Sequence, residues 1–236
     1  MTPNRAFLTA EWRMLAMLNY EVDERLLLPF VPAGTELDRW QGKLFVSLVG
    51  FRFLNTRVLG IPIPFHRDFD EVNLRFYVLR REGQELRRGV VFIREIVPRW
   101  AIAVVARNVY NEKYVALPMR HRIEQGPAVE YAWRSRAGWS RINVSAAGEP
   151  VLPREGSEEQ FITEHYWGYA AQRDGGCVEY RVEHPSWKVW SAEQASFVGD
   201  VEELYGKELA AAVRGTPSSA FLAEGSGVVV GRGRRL

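Results

Sequence analysis

Cysteine, lysine and histidine are all scarce in this chain, and each scarcity removes a class of explanation. Cys177 is the only cysteine among 236 residues, so no internal disulfide can form. Its flanks, Gly175-Gly176 and Val178-Glu179, place it at a turn-to-strand junction and suit a structural thiol. Lysine occurs four times (Lys43, Lys113, Lys188 and Lys207) against twenty-seven arginines, so amine chemistry has few possible sites. The histidines His66, His121, His165 and His184 show neither i, i+4 spacing nor a nearby cysteine pair, and no metal site is expected. Gly-x-Ser-x-Gly, Walker and Gly-x-Gly-x-x-Gly patterns are missing, which argues against common hydrolase, nucleotide and dinucleotide chemistry; no cofactor is expected. No apolar run approaches about 18 residues, and Met-Thr-Pro-Asn-Arg at the start is not a signal peptide, so the expectation is a soluble cytoplasmic protein without a membrane partner. The net charge of +2 arises from 31 basic and 29 acidic residues, too even a balance to attract nucleic acid. The Trp and Arg residues between Trp133 and Arg141 are accounted for by cross-strand pairing.

What is present is apolar residues, 47% of the chain, enough for a substantial core and for one domain over 1–236. A homo-oligomer is compatible with this composition. Trp12 to Tyr20 reads as a strand, and Asp23 caps a helical turn from Glu24 to Leu28. Glu36–Arg39 and Leu44–Phe53 read as a hairpin about Trp40-Gln-Gly42-Lys43. Phe69 to Arg80 alternates clearly: Val72, Leu74, Phe76 and Val78 on one face, Glu71, Asn73, Arg75 and Tyr77 on the other. In a curled sheet, that polar face can point into a cavity instead of bulk water.

Gly89 to Val97 is a further strand, and Trp100 to Tyr110 has the content of a mostly buried helix on which Ala103 and Arg107 share a face. Tyr114–Glu124, Ala128–Arg136 and Trp139–Ala146 read as a meander, Ser157 as a helix cap, Tyr166–Arg173 with Cys177–His184 as a hairpin, and Trp187–Trp190 as an extension of the sheet. Asp200 to Val213 is the strongest helix, with Gly215 and Pro217 beyond its end. Ser219 to Val230 supplies a final strand or two, and Gly231 to Leu236 should fray.

Several segments together resemble a known family: Asn19-Tyr-Glu-Val22 with Pro29 and Pro32-Ala-Gly34, Asp70-Glu-Val-Asn-Leu-Arg75, Ala106-Arg107, Glu164-His-Tyr-Trp-Gly-Tyr169, His184-Pro-Ser-Trp187 and Pro217 to Ser226. They are similar to the YqjF-like family of uncharacterised proteins. That resemblance implies the acetoacetate decarboxylase-like superfamily and its fold: α+β but mainly β, a curled antiparallel barrel or cone around a central pocket, with a few packed helices. Phe69-Asp70-Glu71 resembles a pocket element of the decarboxylases and makes Glu71 the best-supported pocket residue. Their lysine motif runs Arg, two residues, an aromatic, Gly, one residue, Pro, Lys. Here Arg107 and Tyr110 match its arginine and aromatic, while Lys113 stands in the proline's place and Tyr114 in the lysine's. The Schiff-base chemistry of the decarboxylases therefore does not carry over directly.

A Schiff-base lysine must be unprotonated, as burial or a neighbouring cation makes it; acetoacetate decarboxylase is the standing example. Arg107 could be that cation for Lys113. Adjacent residues of an extended segment face opposite ways, however, so Lys113 faces out if Tyr114 faces in. The candidate catalytic residues are Glu71, Tyr114 and Lys113, and the candidate binding residues Arg75, Arg107, Asn73, Tyr77 and Tyr110. The expectation is a pocket for a small organic acid or carbonyl compound, with turnover left open and, if the ligand is turned over, acid/base chemistry by Glu71 with Tyr114 as donor. Open alternatives are a non-catalytic binding or sensing module and a Schiff-base lyase using Lys113.

Overall fold

Residues 6–62, 66–98, 113–124 and 126–236 are described by the computed structural model of the protein. Fifteen strands among them form one hydrogen-bonded sheet. The first half supplies β1 (Leu8–Glu21), β2 (Glu36–Leu37), β3 (Phe45–Val58), β4 (Ile61–Pro62), β5 (Phe69–Glu82), β6 (Glu85–Val97), β7 (Tyr114–Ala116) and β8 (Met119–Ile123). The second half supplies β9 (Ala128–Ser135), β10 (Gly138–Ala146), β11 (Trp167–Ala171), β12 (Cys177–Glu183), β13 (Val189–Val198), β14 (Ser219–Val230) and β15 (Arg234–Arg235). Three helices accompany them: α1 (Glu158–Thr163), α2 (Glu202–Tyr205) and α3 (Lys207–Arg214). No helix among the described residues is long and apolar enough to cross a membrane.

The sheet curls until it meets itself. Strands run in the order β12, β11, β6, β5, β3, β1, β14, and β14 pairs back onto β12 through Val230 with Val182 and Val229 with Glu183. Closure gives the ring an inside and an outside, and alternating side chains along each strand go to one or the other. Outside, a wing of β13, β10, β9 and β8 continues from β14, and its Tyr131, Trp133, Ile142 and Val144 pack on Leu48, Leu74 and Phe76 of the ring. Leu209 and Val213 of α3 join the same core. Inside, Leu15, Met17, Phe45, Val49, Phe51, Phe53, Phe69, Phe161 and Trp187 form a second apolar cluster.

β1 bends where Met14 takes a positive φ of 55° and the pairing with β3 slips between Arg13 and Ala16. Gly225 of β14 sits opposite Arg13 with φ 78°, and a Cβ there would collide with the Trp12 carbonyl. Only glycine meets both demands at that bend.

Five sequence expectations are revised. Glu36–Leu37 does not pair with β3, whose edges are taken by β1 and β5; it pairs with Val78 and Leu79 of β5, beyond the point where β3 begins. Tyr114–Glu124 is broken at Leu117-Pro118 into β7, parallel to β6, and β8, antiparallel to β9. The helix expected from Asp200 breaks at Gly206, whose φ of 79° no helical residue adopts, although Asp200 Oδ1 does accept from Glu202 N at 2.9 Å. The single turn expected after Asp23 continues as two short 3-10 turns, Glu24–Leu26 and Leu28–Phe30, with Asp23 capping the first. The tail does not fray: Arg234 and Arg235 pair with Glu179 and Val178, and Arg234 Nε donates to Glu179 at 3.0 Å. Glu179 is buried and also receives Arg87 at 2.8 Å and Arg80 at 3.3 Å, so three guanidinium groups converge on one carboxylate. The expected helix Trp100–Tyr110 lies outside the described residues.

Candidate functional site

Inside the ring lies a cavity of about 170 Å³ to which β1, β3, β5, β6, β7, β12 and β14 all contribute side chains. Its wall is aromatic, with Trp12, Phe51, Phe53, Phe69 and Trp187 in edge or stacked contacts at ring separations of 4.6 to 6.2 Å. Against that wall stands a polar floor made by Glu71, Asn73, Arg75, Glu95, Tyr114 and His165.

The floor follows from strand register. Asn73 of β5 lies opposite Glu95 of β6, and Glu95 opposite Tyr114 of β7, so three neighbouring strands present one polar row to the cavity. Residues directly opposite each other share a face of the sheet. Glu71 and Arg75 flank Asn73 on the same face of β5.

Glu71 is 2% exposed. Its Oε1 accepts from Asn73 Nδ2 at 2.9 Å and its Oε2 from the Tyr114 hydroxyl at 3.1 Å. Burial pushes its carboxyl up to about 7, against the opposing pull of those two donors and the Arg75 cation. The Tyr114 phenol is held well above its ordinary value, first by burial and then by the negative charge of Glu71 and Glu95. At neutral pH Tyr114 is therefore a donor standing between two buried carboxyl groups, one of which can hold or release a proton.

Arg75 is 7% exposed, and among the described residues its Nε has no hydrogen-bond partner. Its Nη2 reaches only the Ile162 carbonyl at 3.4 Å and the Met17 sulfur at 4.0 Å. No carboxylate among the described residues lies within ion-pair distance, an expensive state for a buried guanidinium.

The structure brings Glu71, Asn73, Arg75 and Tyr114 together at the cavity. It does not bring Tyr77 or Lys113 there. Tyr77 points inward but lies behind the floor: Ser47 Oγ donates to Asn19 Oδ1 at 2.6 Å, so the Tyr77 hydroxyl donates to Ser47 at 2.6 Å, and the ring packs on Phe161. Lys113 is exposed with its Nζ 4.9 Å from the centre of the Phe30 ring, and none of the four lysines lines the cavity. Arg107 and Tyr110 lie outside the described residues.

Glu95, His165, His184 and Trp187 are cavity residues that sequence reasoning did not reach. Glu95 escaped because the β5–β6 register slips between Leu74 and Arg75, leaving Ile93 as an extra residue. Val90 and Phe92 face inward before the bulge and Glu95 after it, so strict alternation assigns Glu95 to the wrong side. The signal available was a carboxylate in the apolar half of the strand, beside Arg94. His165 follows α1, whose Ser157 cap accepts from Gln160 N at 3.3 Å, and reaches the cavity only because α1 docks through Phe161 and Ile162.

The DUF2071 family, described as an uncharacterized conserved protein, matches residues 9–227. The uncharacterized protein YqjF of Bacillus subtilis (strain 168) is 26% identical over 200 residues, covering 83% of this chain and 80% of that protein. Among solved structures, acetoacetate decarboxylase from Legionella pneumophila superposes with a TM-score of 0.69 at 12% identity over 97% of this chain and 86% of its own. The enduracididine biosynthesis enzyme MppR complexed with pyruvate gives 0.67 at 12% identity over 97% and 90%. An acetoacetate decarboxylase-like enzyme from Sphingomonas wittichii RW1 gives 0.66 at 13% identity over 100% and 96%. The fold is that of the acetoacetate decarboxylase-like proteins.

Proposed function

The chain belongs to the DUF2071 family, and from that premise and the cavity we propose that it binds a small organic acid or carbonyl compound and exchanges a proton with it by acid/base catalysis. The observation that carries the proposal is the buried Arg75, without a carboxylate partner among the described residues, two positions along one strand face from Asn73 and four from Glu71. A ligand carboxylate supplies the charge that Arg75 lacks, and a bidentate guanidinium contact orients it. MppR, which shares the fold, is a protein complexed with pyruvate, and a 2-oxo acid suits the same arrangement.

The chemistry follows from the protonation states. With its carboxyl raised to about 7, Glu71 is present in both forms at neutral pH, the condition under which a general base works best. Its carboxylate takes a proton from the carbon beside the ligand carbonyl; the C–H electron pair becomes a carbon–carbon double bond, and the carbonyl π pair moves to oxygen. Tyr114 donates its hydrogen bond to that oxygen. Turning the Tyr114 O–H from Glu71 to the ligand also removes a contact that lowers the Glu71 pKa, so ligand entry makes Glu71 a stronger base. Covalent chemistry through an amine is disfavoured, because all four lysines are exposed and outside the cavity.

Deuterium exchange tests the reading. In D₂O the methyl protons of pyruvate should be lost from the proton NMR spectrum faster with the protein than without it. Glu71→Gln should abolish the acceleration and keep pyruvate binding by calorimetry. Binding without accelerated exchange in the wild type identifies a ligand-holding module instead, and no binding at all removes the carboxylate reading.

A further inference from the structure

The polar floor has a second wall that the proton exchange does not use. His165 is buried, its side chain 1% exposed, and its Nε2 lies 3.1 Å from Asp38 Oδ2. Asp38 is itself 5% exposed and takes Arg88 Nε on the same oxygen at 2.7 Å. An ionised carboxylate accepts only, so the imidazole must place its proton on Nε2 and leave Nδ1 bare. Among the described residues Nδ1 is buried and has no hydrogen-bond partner, yet His165 lines the cavity. The Tyr77 ring at 4.7 Å and the Phe161 ring at 5.1 Å hold the imidazole in place.

Both charge and burial keep this ring neutral. Burial holds its pKa down to about 4 despite Asp38, and the nearby Arg88 and Arg75 cations push in the same direction as burial. A neutral His165 with Nε2–H tied to Asp38 has one acceptor left and no donor. No Arg75 N–H is bonded to that acceptor, and a ligand carboxylate has no donor to give it. An acceptor without a partner in an apolar setting selects for a ligand that brings a donor.

We propose that His165 Nδ1 receives the hydroxyl of the ligand, so that the cavity takes a hydroxyl-bearing organic acid: carboxylate on Arg75, O–H on His165, and an apolar remainder against Trp12, Phe51, Phe53, Phe69 and Trp187. This rests on the carboxylate reading above and adds the group that decides which acid is held. Asp38 acts through His165, fixing its tautomer, and is a positioning residue.

The probes are a matched pair, 3-phenyllactate and 3-phenylpropionate, which share the carboxylate and the ring and differ by one hydroxyl. Calorimetry of the wild-type chain should show phenyllactate binding about fivefold to tenfold more tightly, the size of one neutral hydrogen bond. His165→Phe keeps a ring between Tyr77 and Phe161 and leaves Asp38 paired with Arg88 but carries no acceptor, and should bring the ratio to about one without weakening phenylpropionate. A second readout needs no mutation: in the ¹⁵N-labelled protein the His165 Nδ1 resonance should move upfield with phenyllactate and stay in place with phenylpropionate. Equal affinities in the wild type, a preference that survives His165→Phe, or an unmoved Nδ1 resonance overturns the hydroxyl assignment while leaving the carboxylate reading intact. Failure of both acids to bind the wild type overturns both.

Discussion

The two faces of β5 are equally buried and differently filled. Outside the ring, Val72, Leu74, Phe76 and Val78 are each 0% exposed and interlock with Trp133, Ile142 and the helices α2 and α3. Inside, Glu71, Asn73, Arg75 and Tyr77 are between 1% and 7% exposed, yet the first three border a cavity. The outer face is packed so that every methyl group has neighbours, which is what a core does for stability. The inner face holds a carboxyl forced toward neutrality and a guanidinium without a carboxylate among the described residues, and both oppose folding. Polar side chains persist in such a place where a ligand offsets their cost, which is the role the proposed function gives to the inner face of this strand.

The comparison breaks most visibly on the packed side. Phe76→Ala should lower unfolding free energy in urea by about 3–5 kcal/mol, the usual loss for a large side chain removed from a closed core. A loss below about 1 kcal/mol would mean that the outer face is not the stabilising one.

On the cavity side the effect should appear as pH dependence. Glu71 has a folded pKa raised from 4.5 to about 7, so the folded state binds the extra proton and this group's contribution falls as pH rises through that window. His165 is lowered from 6.5 to about 4, so the unfolded state binds the extra proton and stability is lost as pH falls through that window. Between pH 4.5 and 6.5 the two slopes oppose each other. The expected outcome is that each single variant exposes the slope of the group it leaves in place. Urea midpoints of Glu71→Gln should rise from pH 4.5 to 6.5 relative to wild type, and those of His165→Gln should fall. Parallel profiles for all three proteins would refute the opposed pair.

Arg75→Met sharpens the contrast between stability and function. Replacing a buried cation without a carboxylate partner by an apolar chain of similar length should leave the melting temperature unchanged or raised. Affinity for pyruvate should nevertheless fall by about tenfold or more in calorimetry, the loss of one charge-assisted contact. The smallest effect belongs to Lys113: Lys113→Ala should leave pyruvate exchange unchanged, and borohydride with pyruvate should add no mass to the wild-type protein.

Much of this was legible from local pattern. The alternation from Phe69 to Arg80 identified β5 and the polar face that lines the cavity, because a strand of period two shows its faces in the sequence. Asp23 and Ser157 marked their turns because capping is decided by residues two or three apart. Glu95 and His165 could not be read that way. One depends on a bulge at Ile93 that reverses the strand's facing, the other on where a short helix docks.

Sequence alone determined which residues alternate, where amines are scarce, and that Lys113 and Tyr114 would face opposite ways. Tertiary structure decided which way, since facing acquires a meaning only when β14 closes onto β12 and gives the sheet an interior. It also decided the protonation of Glu71 and His165, because burial is a property of the assembled ring and not of any segment of the chain.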